Sequence, residues 1–277
     1  MAPVTALVTE LYMSACKWYD RIINFNTTYA GKITTPCHGC SKRPDRRLIW
    51  FPRMGSGSGA IQPSTGTLYE PDVPFEKATF GMGCFWKSES LYGCVKGVLR
   101  TTAAYAGGTK KDPTYRSLSD YTEVVRIEYD PRETSFKELL KLFWPNHDPT
   151  REYVSREYMS IIFCHNDAQE TEAKRSLEEN RKNFRAPIVT KILKLEQYHL
   201  AEQHHQKYRL QRQTALYKSL LQSGMKDVTR SHVATRLNGY VAGFGTMAAF
   251  DAECNQLGLS SDQINAVRAL IRKGRSR

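Results

Sequence analysis

The sequence predicts an α+β fold, and three observations carry that prediction. Thr122 to Tyr129 (TEVVRIEY) alternates and is rich in β-branched residues, as a strand with one buried face should be. Ser135 stands three residues ahead of Glu138 in a capping-box pattern, and the segment behind it sets Phe136, Leu139, Leu140 and Phe143 on one side of a helix. Around Gly81-Met82-Gly83-Cys84, a short mixed strand passes into a helical pattern. In order, the segments read strand, helix, strand, strand, helix, strand, helix, strand. That order predicts a two-layer sandwich with the helices on one face of a mixed sheet. The nearest standard architecture is the ferredoxin-like split βαβ arrangement.

Each element has its own local reason. Lys77 to Phe80 is the first strand. Behind Cys84, the polar Lys87, Ser88 and Glu89 lead into Leu91, Val95 and Val98 at helical spacing. Gly97 to Ala106 reads as a strand ending in the Gly107-Gly108 turn, and Pro113-Thr114-Tyr115 as a further turn. Tyr158 to Cys164 is an apolar strand, Asp167 to Phe184 a charged helix, and Ile188 to Ile192 another strand. Ala201 to Tyr208 is polar and holds His204 and His205. Gln211 to Lys226 is helical, ending near Gly224. Leu237 to Gly245 is spaced by glycines and is expected to be mobile or to lie over the domain surface. Ser260 to Gln263 caps a last helix that carries Ile264, Val267, Leu270 and Ile271 and ends in a basic run.

Three regions follow. Residues 1–70 are expected to be a poorly structured extension and linker, with Met54-Gly-Ser-Gly-Ser-Gly-Ala60 flexible by composition. Residues 71–225 form the catalytic domain, and 226–277 a glycine-containing tail with a terminal helix. Within the extension, Ala6-Leu7-Val8 is too short for a signal core, and Glu10 and Asp20 argue against a mitochondrial presequence while Lys17, Arg21 and Lys32 keep that option open. Cys37-His38-Gly39-Cys40 is half a zinc site by ligand count.

Composition narrows the class. The chain has 277 residues, 40% hydrophobic and 11% aromatic, enough for a sizeable core. The net charge of +12 is spread in singles and pairs, whereas nucleic-acid readers cluster it on one element; no nucleic acid is expected as partner. Seven widely spaced cysteines suit a reducing compartment, and a cytoplasmic location is expected, with a mitochondrial one as the alternative. No run reaches the ~18 apolar residues of a membrane span. A monomer is expected, with no bound metal or cofactor. His204, His205 and Glu202 lack a matching ligand set elsewhere.

Cys84 carries the chemistry. Glycines allow the tight turn before it, and a helix N-terminus stabilises a thiolate. From these features alone it is either a nucleophile or a small buried thiol in a strand–helix turn.

Further blocks bear on that choice: Gly83-Cys84-Phe85-Trp86, Tyr105-Ala106-Gly107-Gly108, Pro113-Thr114-Tyr115, Thr122-Glu123-Val124-Val125 and Phe143-Trp144-Pro145-Asn146-His147-Asp148-Pro149. In this order they resemble the A-type peptide methionine sulfoxide reductases, from about Phe75 to Tyr208. The resemblance implies reduction of methionine S-sulfoxide, protein-bound and free, to methionine. A thiolate reaches the sulfur, an acid protonates the oxygen, and an apolar pocket holds the methyl group. Cys84 is then the nucleophile. Phe85 and Trp86 line the methyl pocket. Glu123 is the acid, since a carboxyl facing an aromatic pocket is desolvated and remains protonated near neutral pH. Tyr115 and Tyr158 donate to the oxygen. The resulting sulfenic acid condenses with a second thiol, and thioredoxin, or dithiothreitol in vitro, restores it.

The chain departs from the family pattern at three places. Tyr121 stands where a histidine is usual. The loop 150–157 carries no aspartate, its acids being Glu152 and Glu157. The tail's only cysteine, Cys254, lies outside the glycine run; it is expected to be the resolving thiol, and Cys94 and Cys164 to be core. Competing readings are a cysteine peroxidase and a catalytically degenerate family member acting as a basic binding protein.

Overall fold

The computed structural model describes Ile61, residues 66–153 and residues 155–275. The expectations placed on residues 1–60, the Cys37/Cys40 pair included, lie outside the described residues. Strand β1 (Glu76–Met82) runs antiparallel to both β3 (Thr122–Tyr129) and β4 (Ser160–Cys164). β2 (Val98–Ala106) is antiparallel to β3 and to the short β6 (Tyr198–Leu200), while β5 (Lys191–Lys194) lies parallel to β4. The sheet is therefore mixed and six-stranded, in the order β5-β4-β1-β3-β2-β6. Helix α1 (Phe85–Gly93) joins β1 to β2. Helix α2 (Phe136–Phe143) lies between β3 and β4, and α3 (Asp167–Asn180) between β4 and β5.

The period-2 and period-3.6 signals meet in the main core. Phe80, Val125, Ile127 and Ile162 from the sheet pack with Tyr92 of α1 and with Phe136, Leu139 and Phe143 of α2. The opposite sheet face has a smaller cluster of Ala104, Ala106, Val124, Ile161 and Phe163. The expected cap is present, with Ser135 Oγ accepting from Glu138 N–H at 3.3 Å. Some boundaries differ. α1 stops at Gly93, so Val95 and Val98 are not on it; a Cβ on Gly93 would lie 2.4 Å from Thr235 O, because another helix crosses there. The strand expected at Ile188–Ile192 begins only at Lys191, since Val189 N–H instead bonds Pro149 O at 2.8 Å.

The largest difference lies beyond residue 207. After α4 (Tyr208–Gln211) and α5 (Thr214–Gln222) come α6 (His232–Val241), α7 (Met247–Glu253) and α8 (Ser261–Arg275). One apolar cluster runs through all of them, from Leu210 and Leu220 through Leu237 and Phe250 to Val267 and Ile271. It also takes in Leu68, and the neighbouring Tyr69 N–H bonds Leu257 O at 3.2 Å. The segment 237–245, expected to be mobile or to lie over the domain surface, is instead the largely buried second half of α6 and its cap. Its glycines serve packing rather than looseness. A Cβ on Gly239 would lie 2.5 Å from Cys94 Sγ, so glycine there lets α6 approach α1. Gly243, at φ +88°, ends the helix: its N–H bonds Tyr240 O and Phe244 N–H bonds Gly239 O, a Schellman motif.

α6 also finishes α1. The Arg236 guanidinium donates to Gly93 O (2.9 Å), Val95 O (2.7 Å) and Cys94 O (3.2 Å) and pairs with Glu253 at 3.0 Å. A cation there satisfies carbonyls left over at the helix end and complements its dipole.

Candidate active site

The β1–α1 turn places Cys84 as the N-cap of α1, half-buried among residues that are mostly inaccessible. Gly83 adopts φ +78° just before it, the left-handed conformation that suits glycine. The next residue is tied directly to the acid candidate: Phe85 N–H donates to Glu123 Oε2 at 2.9 Å. Glu123 projects from β3, opposite Tyr105 of β2, and is completely buried. A carboxyl is thereby fixed at the helix terminus that carries the thiol.

The aromatic wall is built from distant segments. Trp86 stacks on Tyr208 with ring centroids 3.7 Å apart and planes at 6°, and its indole N–H donates to His205 Nδ1 at 3.2 Å. His205 also meets Phe85 (5.3 Å) and Tyr115 (4.5 Å). Burial holds the His205 ring down to about 4, with His204 adding to the shift and Glu202 opposing it. It is therefore neutral near pH 7 and able to accept from Trp86. Glu202 braces the other side, its carboxylate accepting from Tyr115 N–H (2.9 Å) and Tyr105 O–H (2.7 Å). Burial pushes the Glu202 carboxyl up, but these bonds outweigh it and leave it below the usual range. Residues 201–208 thus act as a bracket for the pocket. Among the described residues, no group of three His, Cys, Asp or Glu is arranged to hold a metal ion.

Tyr158 ends the 3-10 turn Arg156–Tyr158, which Thr122 Oγ1–H anchors through Arg156 O at 2.8 Å. Within that turn, burial pushes the half-buried Glu157 carboxyl up. Phe85, Trp86, Tyr115 and Glu123 are therefore brought round the N-terminus of α1, and Tyr158 lies two residues before Ser160, the partner of Met82 at the end of β1. Tyr121 is not among them: its hydroxyl donates to Lys110 O at 3.0 Å and its ring meets His199 at 5.3 Å. The His147 block is a brace, the imidazole bonding Phe143 O (2.8 Å) and Ser160 Oγ (2.6 Å) behind the pocket.

Cys254 is not brought to Cys84. It caps α7, is 1% exposed, and directs its thiol to Asp251 O at 3.7 Å inside the helical cluster. Its neighbour Glu253 holds Arg236 at the C-terminal end of α1, while Cys84 lies at the N-terminal end. Those ends are about 13 Å apart by helical rise, and a disulfide needs Cα atoms within about 7 Å. The structure therefore does not bring Cys254, the expected resolving thiol, within disulfide reach of Cys84. Cys94, at the C-terminal end of α1, and Cys164, at the end of β4 away from Ser160, are equally remote.

Comparison with known proteins accords with this geometry. Residues 76–237 match the family model described as peptide methionine sulfoxide reductase. The chain is 48% identical over 198 residues to a peptide methionine sulfoxide reductase of Drosophila melanogaster, covering 71% of this chain and 80% of that one. The chain belongs to the peptide methionine sulfoxide reductase family. As a member it is an oxidoreductase that reduces methionine sulfoxide. Peptide methionine sulfoxide reductase A5 of Arabidopsis thaliana is 40% identical over 187 residues, 65% of this chain and 74% of that one. A second family model, the helical domain of selenoprotein methionine sulfoxide reductase A, matches residues 224–272, the stretch holding α6, α7 and most of α8. Among solved structures, methionine sulfoxide reductase A of Corynebacterium diphtheriae is similar at 28% identity and a TM-score of 0.47, over 57% of this chain and 86% of that one.

For Glu202, His205 and Tyr208 the resemblance implies a structural block near the pocket, without the individual contacts seen here. Nothing local says that Trp86 is their target, because 119 residues separate it from His205.

Proposed function

We propose that this reductase acts on the S epimer of methionine sulfoxide, protein-bound and free. Cys84 is the nucleophile, Glu123 the proton donor, Phe85 and Trp86 the methyl pocket, and Tyr115 and Tyr158 the donors that orient the oxygen. The observation that carries this reading is the 2.9 Å bond from Phe85 N–H to the fully buried Glu123 carboxyl. It fixes an acid beside a helix-terminal thiol. As the Cys84 sulfur attacks, Glu123 protonates the sulfoxide oxygen. The substrate S–O bond breaks, a Cys84 S–O bond forms, and methionine leaves. The thiol's proton restores Glu123, so that thiol plus sulfoxide gives sulfenic acid plus thioether.

The sulfenic acid is then reduced by an external dithiol, thioredoxin in the cell and dithiothreitol in vitro, through a mixed disulfide that the dithiol's second thiol resolves. No described cysteine lies beside Cys84 to intervene. All the residues named come from one chain, so a monomer suffices. The β4-β1-β3-β2 quartet, with α1 and α2 as its helical connections, supports reading the domain as the ferredoxin-like two-layer sandwich.

The test is turnover of each sulfoxide epimer with dithiothreitol, with the sulfenic acid trapped by a dimedone-type reagent. The S epimer should turn over and the R epimer should not. Peroxide consumption without sulfoxide turnover would favour the peroxidase. Cys254→Ser should leave both thioredoxin-driven and dithiothreitol-driven turnover unchanged, while costing ~1 kcal/mol or more of stability through the buried hydroxyl. Loss of the thioredoxin-driven activity alone would return Cys254 to the recycling step.

A further inference from the structure

Helix α4 starts without a cap of its own. Its first residue, Tyr208, stacks on Trp86, so the place where this helix begins decides where that ring lies. The residue ahead of it, Lys207, sits in the left-handed region at φ 47° and ψ 45°, and its side chain makes no bond to the first turn. The N–H groups of a first turn have no partner within the helix and need one from outside. Glu89 Oε2 of α1 takes the Lys207 N–H at 2.7 Å. Asn238 Oδ1 of α6 takes the Leu210 N–H at 3.0 Å. Leu210 is the third residue of α4, so Asn238 does from 28 residues away what an asparagine at the N-cap does locally.

The other half of the same amide faces α1. Asn238 Nδ2–H donates to Ser90 Oγ at 3.1 Å, and Ser90 O–H donates to Trp86 O at 2.8 Å. The directions follow from the groups themselves. A backbone N–H only donates, so Oδ1 faces Leu210 and the amide NH2 faces Ser90, whose own hydrogen is left for the Trp86 carbonyl. Asn238 and Ser90 are both fully buried, so solvent does not compete for these bonds. The close approach is possible because the next residue, Gly239, has no side chain to set between α6 and α1. One side chain is thus fastened to the Trp86 carbonyl through Ser90, and to α4 two residues past Tyr208.

We infer that Asn238 is a positioning residue for sulfoxide binding, bridging α1 to α4 so that the Trp86–Tyr208 stack keeps the shape of the methyl pocket. The inference rests on the reading of Trp86 as part of that pocket. The helices beyond Met225 then act on the substrate from behind, through bonds to the backbone of the elements that carry the rings. A wall that holds the methyl group alike before and during the attack contributes to binding rather than to the chemical step, so its displacement raises KM and leaves kcat.

The experiment is steady-state kinetics of the S sulfoxide with dithiothreitol, on the full chain, in Asn238→Ala, Ser90→Ala, Trp86→Ala and the double variant Asn238→Ala with Trp86→Ala. Asn238→Ala should raise KM about tenfold, and Ser90→Ala, which cuts only the α1 half of the bridge, about threefold, with kcat changed less than about twofold. In the Trp86→Ala background, where KM is already raised, Asn238→Ala should add nothing further. Fluorine NMR of fluorotryptophan-labelled protein reads the ring without turnover. The Trp86 resonance, assigned through Trp86→Phe, should shift in Asn238→Ala and in Ser90→Ala, while that of Trp144, bonded to Ser176 Oγ at 2.7 Å in the main core, should stay. Ser90→Ala removes a single hydroxyl and carries the test by itself should Asn238→Ala fail to fold. An unmoved Trp86 resonance, an unchanged KM, or an effect of Asn238→Ala that persists undiminished in the Trp86→Ala background overturns the inference. An unchanged KM in Trp86→Ala overturns instead the reading of Trp86 as the methyl pocket, and the fluorine shift separates that outcome from a failure of the bridge.

Discussion

Cys84→Ser removes turnover of methionine sulfoxide with either reductant, a loss of ~10⁴-fold or more in kcat/KM. A serine hydroxyl at the same N-cap is not ionised by a helix terminus near neutral pH, and oxygen cannot form the sulfenic acid on which the cycle depends. No other described cysteine can take over. Burial pushes the Cys94 thiol up to about 12, only partly countered by Arg236, and the Cys164 thiol up to about 11. Cys254 is enclosed in the helical cluster. Alkylation of the native protein at neutral pH, read by mass spectrometry of the described segment, should therefore modify Cys84 first. The variant should keep its thermal midpoint, because the Cys84 side chain makes no cap bond to α1. Residual turnover above a hundredth of wild type, or alkylation of Cys94 ahead of Cys84, would defeat the assignment.

How much of this was legible beforehand depends on how far each signal reaches. β3, the Ser135 cap and the Cys84 turn were readable because their causes lie within a few residues: alternation, a side-chain cap, a glycine before a helix. The Ser260 cap was readable for the same reason, and its reciprocal bonds with Gln263 are present at 2.8 and 3.2 Å. The mistakes came from residues whose purpose is another segment. Gly239 reads as a flexible residue until α1 is seen to lie against it, and Gly243 and Gly245 then follow as a helix end packed on its own Tyr240. The three-residue β6 has too few side chains to show a period, yet its pairing with Ala104–Ala106 carries the chain towards the 201–208 bracket. The place of Cys254 in the tail points to a resolving thiol, but position along a chain says little about position along α1.

Lys207→Met destabilises the folded chain by ~3–5 kcal/mol. Lys207 and Glu89 are both wholly buried, with Nζ 3.2 Å from Glu89 Oε1 and Lys207 N–H donating to Glu89 Oε2 at 2.7 Å. The ammonium also donates to Thr101 O and, at 3.4 Å, to Thr229 O. Burial pushes Glu89 up and Lys207 down, each opposed chiefly by the charge of the other. Removing one member leaves a wholly buried carboxyl without its counter-charge, so the single variant suffers most. For an ordered unit of this size, that loss lowers the thermal midpoint by roughly 10 °C. The double variant Glu89→Leu with Lys207→Met should regain most of it, since a well-packed apolar pair can match a buried ion pair. Stability is only part of what the pair does. Lys207 follows His205 and precedes Tyr208, the two residues that hold Trp86, while Glu89 lies on the same helix as Trp86. The ion pair therefore sets the register of α1 against the bracket that holds Trp86, in the proposed methyl pocket. The double variant should refold stably and still bind sulfoxide with a raised KM at little-changed kcat. Calorimetry and steady-state kinetics on the same preparations decide it: a double variant with wild-type KM would reduce the pair to a structural element, and a single variant losing under ~1 kcal/mol would remove even that.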